Sequence, residues 1–253
     1  MDHLMNQLKY RLAQLVSSTQ RTKTTYQAHR RVLMYHSISQ HKRPDKNIYS
    51  LSKHDFAQHV ELLSELHKTE NSKVVKLDST DRSGITITFD DGYRDTLTIA
   101  AQTLAGKNLP FTVFVASANI TSGDSRFLNR QELIELSKIS GATIGSHGHA
   151  HSHLAKMSPQ DIESDLKHSK DWLEQIIQKP VTTLSYPHGS YNDDVVRIAS
   201  GIGFEFAATS NWGVFEVGKN KLEIPRIDIW SQDSKKVLQQ KLFGQWEWIA
   251  RLV

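Results

Sequence analysis

Gly84-Ile85-Thr86-Ile87-Thr88-Phe89-Asp90-Asp91-Gly92-Tyr93 is the stretch on which the fold reading turns. Ile85, Ile87 and Phe89 alternate with Thr86 and Thr88, the period-two pattern of a strand covered at least partly on both faces. The strand then meets two carboxylates and a glycine. Successive strand residues point to opposite faces, so Asp90 and Asp91 serve one site only if the strand ends there and the chain turns, which Gly92 permits. Adjacent carboxylates at the end of a buried strand are costly unless paired or bound to a cation. The alternative for these residues is a helix N-cap beside a solvated neighbour.

Working outward, strand and helix patterns alternate about seven times. Arg31 to Ile38 reads as the first buried strand, ending near His36. Ser52 opens a helix with a stripe of Phe56, Val60, Leu63 and Leu66, and Lys73 to Leu77 is a short strand candidate. A helix from Asp95 to about Lys107 follows the central strand. Pro110 to Ala116 is a short, β-branched apolar run, which suits a buried parallel strand. Asn129 to Ile139 reads as helix, with Gly141 as its terminator. Ala142 to Ser146 reads as strand, and Ser158-Pro159 opens a long helix to about Gln178. Strands at Val181 to Tyr186, Phe204 to Thr209 and Glu223 to Ile229 follow, with a helix at Asn192 to Ser200 between the first two. A C-terminal helix starts near Ser234, and Trp246, Trp248 and Ile249 are expected to pack back on the body. Such alternation means a parallel sheet covered by helices, open or closed into a barrel, with ligands at the C-terminal ends of the strands.

The 253 residues can bury one sizeable core. No apolar window is long enough for a membrane span, and the N-terminus has no apolar segment of the signal-peptide kind. The expected location is therefore the cytoplasm. The chain contains no cysteine, which excludes a disulfide framework and a thiol nucleophile. Eight basic residues and no acid lie between His3 and Pro44, so the net charge of +4 belongs to this segment, the remainder being slightly acidic. Residues 4 to 16 carry Leu4, Met5, Leu8, Leu12, Leu15 and Val16 on one helical face. This amphipathic helix, with the basic linker to residue 30, is set apart from the body at 31–253. It is expected to dock on the body or on a partner subunit, with a peripheral inner-membrane contact through residues 4–31 as the alternative. No nucleic-acid partner is expected.

The strand ends bring chemistry to one rim: Tyr35-His36, Asp90-Asp91, Ser146-His147 and Tyr186-Pro187-His188-Gly189. Imidazoles with a carboxylate suit a borderline divalent ion such as Zn²⁺, and three protein ligands are the number found in catalytic sites. His147 and His151 could hold one ion from a helical turn or a tight loop. Four alternating histidines (His147, His149, His151, His153) leave the choice open on spacing alone. A surface histidine cluster is the alternative.

These residues carry a resemblance. Thr88-Phe89-Asp90-Asp91-Gly92 and Gly145-Ser146-His147-Gly148-His149-Ala150-His151-Ser152-His153-Leu154 resemble the first two motifs of the polysaccharide deacetylases, the fourth family of carbohydrate esterases. Ser185-Tyr186-Pro187-His188-Gly189-Ser190-Tyr191-Asn192 resembles the third. Val32-Leu33-Met34-Tyr35-His36 resembles the opening strand of the branch acting on bacterial cell-surface glycans. The resemblance spans roughly residues 31 to 230 and implies a distorted (β/α)₇ barrel of mainly parallel strands. It implies a metal-dependent N-deacetylase acting on N-acetylated sugars of a surface polysaccharide or its precursor. By motif position, Asp91, His147 and His151 bind one divalent metal ion, Zn²⁺ first with Co²⁺ or Ni²⁺ as alternatives. Asp90 is the general base, and the His188 backbone N–H helps hold the oxyanion.

Two departures stand out. The third motif begins with Ser185 where the family usually has an Arg that orients the catalytic Asp, and Arg226 of Ile224-Pro225-Arg226-Ile227 is the candidate replacement. The family's late Leu-His, which protonates the leaving amine, is absent, and no histidine follows His188. His36 is the preferred substitute, with His188 as the other. These departures also keep a second reading open: a catalytically weak or inactive deacetylase-like module that binds glycan. A metal phosphoesterase ranks low, for want of a second carboxylate-rich ion site.

Overall fold

In the computed structural model of the protein, residues 29–40, 47–69, 72–81, 83–216 and 218–248 are described. The amphipathic helix expected at residues 4–16, its linker and Ile249 lie outside the described residues. Among the described residues no helix is long and apolar enough to cross a membrane.

The chain opens with β1 (His29–Tyr35), the short β2 (Ser37–Ser39) and β3 (Ser50–Ser52), and helix α1 (Lys53–His67). The Ser52 hydroxyl caps α1 by accepting from the Asp55 N–H. The central strand β4 (Gly84–Phe89) leads to a π-helical turn, Thr96–Ala101, which runs into α2 (Gln102–Ala105). Next come β5 (Phe111–Val115), α3 (Ser117–Thr121), α4 (Arg130–Lys138) and β6 (Ala142–Ser146). Then follow α5 (Pro159–Ile177), β7 (Thr183–Ser185), α6 (Asp193–Ile202), β8 (Phe206–Trp212), β9 (Phe215–Glu216), β10 (Ile224–Asp228) and α7 (Lys235–Leu242).

Seven of the strands form a ring in the order β1-β4-β5-β6-β7-β8-β10, every pair parallel, and β10 returns to pair with β1. The expected (β/α)₇ barrel is therefore what the chain forms. β9 lies antiparallel against the start of β1, outside the ring, and β2 and β3 make a separate parallel pair at the rim.

The alternation in β4 has a direct structural cause. Ile85, Ile87 and Phe89 belong to the large apolar cluster shared with the helices, while Thr86 and Thr88 point the other way, and all six strand residues are buried. A second cluster, formed by Val32, Phe114, Phe206, Ala208 and Ile224 with Leu77 and Phe215, fills the inside of the ring. At its lower end the buried Arg30 guanidinium donates to the carbonyls of Lys76, Leu77 and Ser79 at 2.6, 2.9 and 3.1 Å. Those carbonyls thus meet a side chain rather than a ladder. The strand expected at Lys73–Leu77 is accordingly only a single bridge, Val74 opposite Ile85. β8 runs three residues past the expected Thr209, and the helix expected at Asp95–Lys107 opens with the π-helical turn. π-turns are rare and often lie beside functional sites.

At the C-terminus α7 docks as expected. Trp246 is fully buried, while Trp248 is partly buried against the same cluster. Lys241 lies under the rings of Trp212, Trp230 and Trp246, 4.4–5.3 Å from their centroids, with its ammonium on Asp233 at 2.5 Å.

Candidate metal centre

Because the ring strands are parallel, their C-terminal ends share one rim, where β4, β6, β7 and β10 supply the site. β4 ends at Phe89. Asp90 keeps the sheet register by donating its N–H to the Tyr35 carbonyl. Asp91 then turns into the left-handed region (φ 72°), followed by Gly92 (φ 74°). This is the turn that lets consecutive carboxylates face one site. A left-handed Asp costs about 1 kcal/mol or more and persists only where surrounding contacts fix it. Here Asn119 donates its side-chain N–H to the Asp91 carbonyl at 3.1 Å.

Asp91, His147 and His151 each present one ligand atom to a common point, all within 4.8 Å of one another. Asp91 Oδ1 lies 3.3 Å from His147 Nε2 and 3.1 Å from His151 Nε2. His147 and His151 come from a tight loop after β6, not from a helical turn, with Gly148 (φ 68°) and His151 (φ 52°) both left-handed. His147 Nδ1 donates to the Ser185 carbonyl at 2.8 Å, which directs Nε2 toward Asp91. Burial would lower the buried His147, but Asp90 and Asp91 hold it protonated to higher pH than usual. Burial would raise Asp91, but His147 and His151 hold it far below the usual carboxylate range. The site thus demands positive charge, and a divalent cation fits its donors and its charge. His149 and His153, the other two members of the alternating series, face elsewhere. His149 meets Ser117, and His153 stacks on His188 at 4.2 Å.

Asp90 is 2% exposed, and its carboxylate receives both ends of the fully buried Arg226 guanidinium. Nη1 reaches Oδ1 and Nη2 reaches Oδ2, each at 2.7 Å. Arg226 also donates to Thr88 Oγ1 (3.2 Å), Ser185 Oγ (2.8 Å) and the Thr209 carbonyl (2.8 Å). The small Ser185 is therefore part of the same arrangement, and its hydroxyl donates to Asp90 Oδ2 at 3.1 Å. Burial opposes ionisation of Asp90, yet Arg226 and His147 hold its carboxyl below the ordinary range. Its Oδ2 lies 3.9 Å from His147 Nε2, at the edge of the metal centre.

His36 follows β1 at the same rim, its ring tilted on Tyr49 at 4.6 Å. Burial lowers its basicity, opposed by Asp90 and Asp91. His188 is left-handed (φ 58°) and exposed, and its Nε2 bonds the His151 carbonyl at 3.1 Å. Of the residues singled out from sequence, the fold brings Asp90, Asp91, His147, His151 and Arg226 into direct contact, with His36 and His188 beside them.

Two residues escaped the sequence reading. Asp165 of α5 is buried, and its carboxylate accepts from the N–H groups of His149 (2.8 Å) and Ala150 (2.9 Å), pinning the ligand loop. Asp228, at the end of β10, is pushed up to about 6, chiefly by burial. A lone Asp on an amphipathic helix or at a strand end carries no signal in one sequence.

The comparisons with known proteins bear on the family and the fold. The polysaccharide deacetylase family profile matches residues 78–207. YxkH of Bacillus subtilis, assigned to the polysaccharide deacetylases, is 27% identical over 204 residues, 78% of this chain and 70% of that protein. A poly-beta-1,6-N-acetyl-D-glucosamine N-deacetylase of Staphylococcus aureus is 26% identical over 159 residues, 58% of this chain and 54% of the enzyme. The match thus spans about half the length of that relative. Among solved structures, the Streptococcus pyogenes deacetylase PplD, in complex with acetate, superposes with a TM-score of 0.73 at 22% identity, over 85% of this chain and 98% of that one. The Bacillus cereus polysaccharide deacetylase BC0361 gives 0.75 at 24% identity, over 85% and 69%. These structures share the barrel. With the profile covering half of the sequence and its motifs meeting at one rim, the chain belongs to the polysaccharide deacetylase family.

Proposed function

We propose that the protein is a metal-dependent N-deacetylase that removes acetyl groups from N-acetylated sugars of a bacterial surface polysaccharide or its precursor. The observation that carries this reading is the buried Asp90–Arg226 pair set beside three convergent metal ligands. A carboxylate so placed is held ionised and oriented at the edge of the metal centre, where a general base must stand to reach the proton of a water bound there. The substrate class is supported by the N-deacetylase named among the relatives, which acts on an N-acetylated glucosamine polymer.

Asp91, His147 and His151 would hold one divalent ion, Zn²⁺ by preference for this donor set, with Co²⁺ or Ni²⁺ as alternatives. When bound, the ion supplies Lewis acidity to the amide carbonyl and lowers the pKa of water in the site. Asp90 takes the proton of the attacking water on its carboxylate, which Arg226 and Ser185 keep in place. The His188 backbone N–H, held in its left-handed turn, is the candidate donor to the carbonyl oxygen as negative charge develops there. His36, at the same rim, gives a proton to the nitrogen as the C–N bond breaks, releasing acetate and a free amine; it must first be protonated, a form that burial opposes and Asp90 and Asp91 favour.

The structure bears on the competing reading of an inactive glycan-binding module. One of its two grounds was Ser185 at the usual Arg position, and Arg226 supplies that guanidinium from β10. The test is acetate release from N-acetylated oligosaccharides by the metal-loaded protein. Asp90→Asn is expected to lower the rate by about 10²-fold or more while metal content is unchanged. A variant as fast as wild type would remove Asp90 as the base. Glycan binding by the wild type with no acetate released would favour the binding module.

The basic, amphipathic character of residues 4–31 supports peripheral contact with an anionic membrane surface, proposed here as the cytoplasmic face of the inner membrane. Deletion of residues 1–28 is expected to abolish co-sedimentation with anionic vesicles. Equal co-sedimentation of the two forms would end that idea.

A further inference from the structure

The ligand loop carries a second histidine pair on the side away from Asp91. His149 lies between the metal ligands in sequence but turns toward α5, where it meets the exposed His168. Their ring centroids are 4.2 Å apart and the planes are inclined at 59°. The ligand pair His147–His151 has the same inclination, 59°, at 4.9 Å.

The orientation of His149 is also prepared. Its Nδ1 lies 2.8 Å from the Ser117 hydroxyl. With that nitrogen donating to Ser117 Oγ, the Nε2 lone pair is left for a ligand, as the Ser185 carbonyl leaves Nε2 of His147. Asp165 sits one helical turn before His168 and holds the His149 and Ala150 N–H groups, so a carboxylate lies beside the pair. Its charge favours a cation there without its serving as a ligand.

We propose that His149 and His168 form a second site for a borderline divalent transition-metal ion of the Zn²⁺ class. The ion takes two imidazoles from the protein and completes its coordination with solvent. With two protein ligands instead of three, the site binds more weakly than the Asp91 centre and fills only when the metal is in excess. Its occupation ties the ligand loop to α5. The proposal stands independently of the deacetylase reading, since neither histidine takes part in the chemistry assigned to Asp90.

The test is equilibrium dialysis of the untagged, metal-free full chain against Zn²⁺ at rising concentration, with bound metal counted by elemental analysis. Wild type is expected to bind two ions in two affinity classes. His168→Ala, an exposed substitution, is expected to keep the tight ion and lose the weak one. His147→Ala combined with His151→Ala is expected to keep only the weak one, and the variant lacking all three histidines none. A control, His153→Ala, is expected to retain both. Saturation of the wild type at a single ion would overturn the proposal. So would two ions in His168→Ala, or loss of the weak class in His153→Ala. Because the His147/His151 pair and His168 report on different classes, loss of one site is read separately from loss of the other.

Discussion

At the scale of single residues, the site is defined by which buried charge has a partner. Asp90 and Arg226 are both nearly free of solvent, so each is tolerable only through the other. Replacing Arg226 by Met leaves a buried carboxylate without its two-pronged partner and with only imidazoles as positive neighbours, an effect of up to about 3–5 kcal/mol in comparable pairs. The same change acts on catalysis with a definite sign. Asp90 must be ionised to accept a proton, and Arg226 depresses its pKa. Without Arg226 the pKa rises, so the acid limb of the pH–rate profile should move to higher pH. Arg226→Lys keeps a charge but loses the two-pronged contact and should fall between. The measurement is kcat/KM against pH for both variants, beside their unfolding midpoints. An acid limb that does not move in Arg226→Met, in protein shown to be folded, would separate Arg226 from the base. Arg226 was visible in the sequence only as a candidate. Its guanidinium reaches Asp90 across the inside of the barrel, a contact between residues 136 positions apart.

At the scale of elements, regular structure was legible wherever period and punctuation agreed. The capping box of α4, where Asn129 and Glu132 satisfy one another's N–H groups, and Ser158-Pro159 at the start of α5 fixed those helices from local chemistry. Legibility ended where a distant group set the backbone. Arg30 takes the carbonyls of Lys76 and Leu77, so pairing of the Lys73–Leu77 segment stops at the bridge of Val74 with Ile85. The loop from His147 to His151 takes its shape from Asp165, which no local signal announces. Gly148 is where that loop is least forgiving. Its φ of 68° disfavours any side chain, and an added Cβ would lie 2.7 Å from Asp165 Oδ1. Gly148→Ala should therefore displace Asp165 or the loop, and with it the spacing of His147 and His151. A loss of about 10–100-fold in affinity for the tight metal ion is expected, the range seen when the supports of metal ligands are disturbed. Metal titration by calorimetry checks this, with circular dichroism showing the barrel intact. Unchanged affinity would mean the loop does not hold the ligands by this contact.

At the scale of the whole molecule, buried titratable groups make stability depend on pH, and they pull in opposite directions. Asp95 and Asp228 are pushed up to about 6 by burial. A raised carboxyl stabilises the fold below its unfolded pKa, near 3.8, and that contribution is lost as pH rises through about 6. His59 acts the other way. It is fully buried on α1, with Nδ1 at the Tyr35 hydroxyl (3.1 Å) and Nε2 at the Asp233 carbonyl (2.9 Å), and burial lowers its pKa to about 4. In the unfolded chain it titrates near 6.5. Between those two values the unfolded state binds a proton that the folded state refuses, so stability falls as pH drops from about 6.5 to about 4. The full effect is on the order of 3 kcal/mol. His59→Gln isolates it, because every other titrating group is common to both proteins. The variant should be less stable than wild type near pH 7, where it loses packing and hydrogen bonds shaped for an imidazole. That deficit should shrink steadily as pH falls toward 4. Urea unfolding of both proteins, with chelator present to remove metal linkage, supplies the comparison at each pH. A deficit constant across the range would mean that His59 titrates alike in the folded and unfolded states. The acid sensitivity of the barrel would then have to come from the depressed carboxyls Asp90 and Asp91, whose stabilising charge is lost as they protonate, and not from His59.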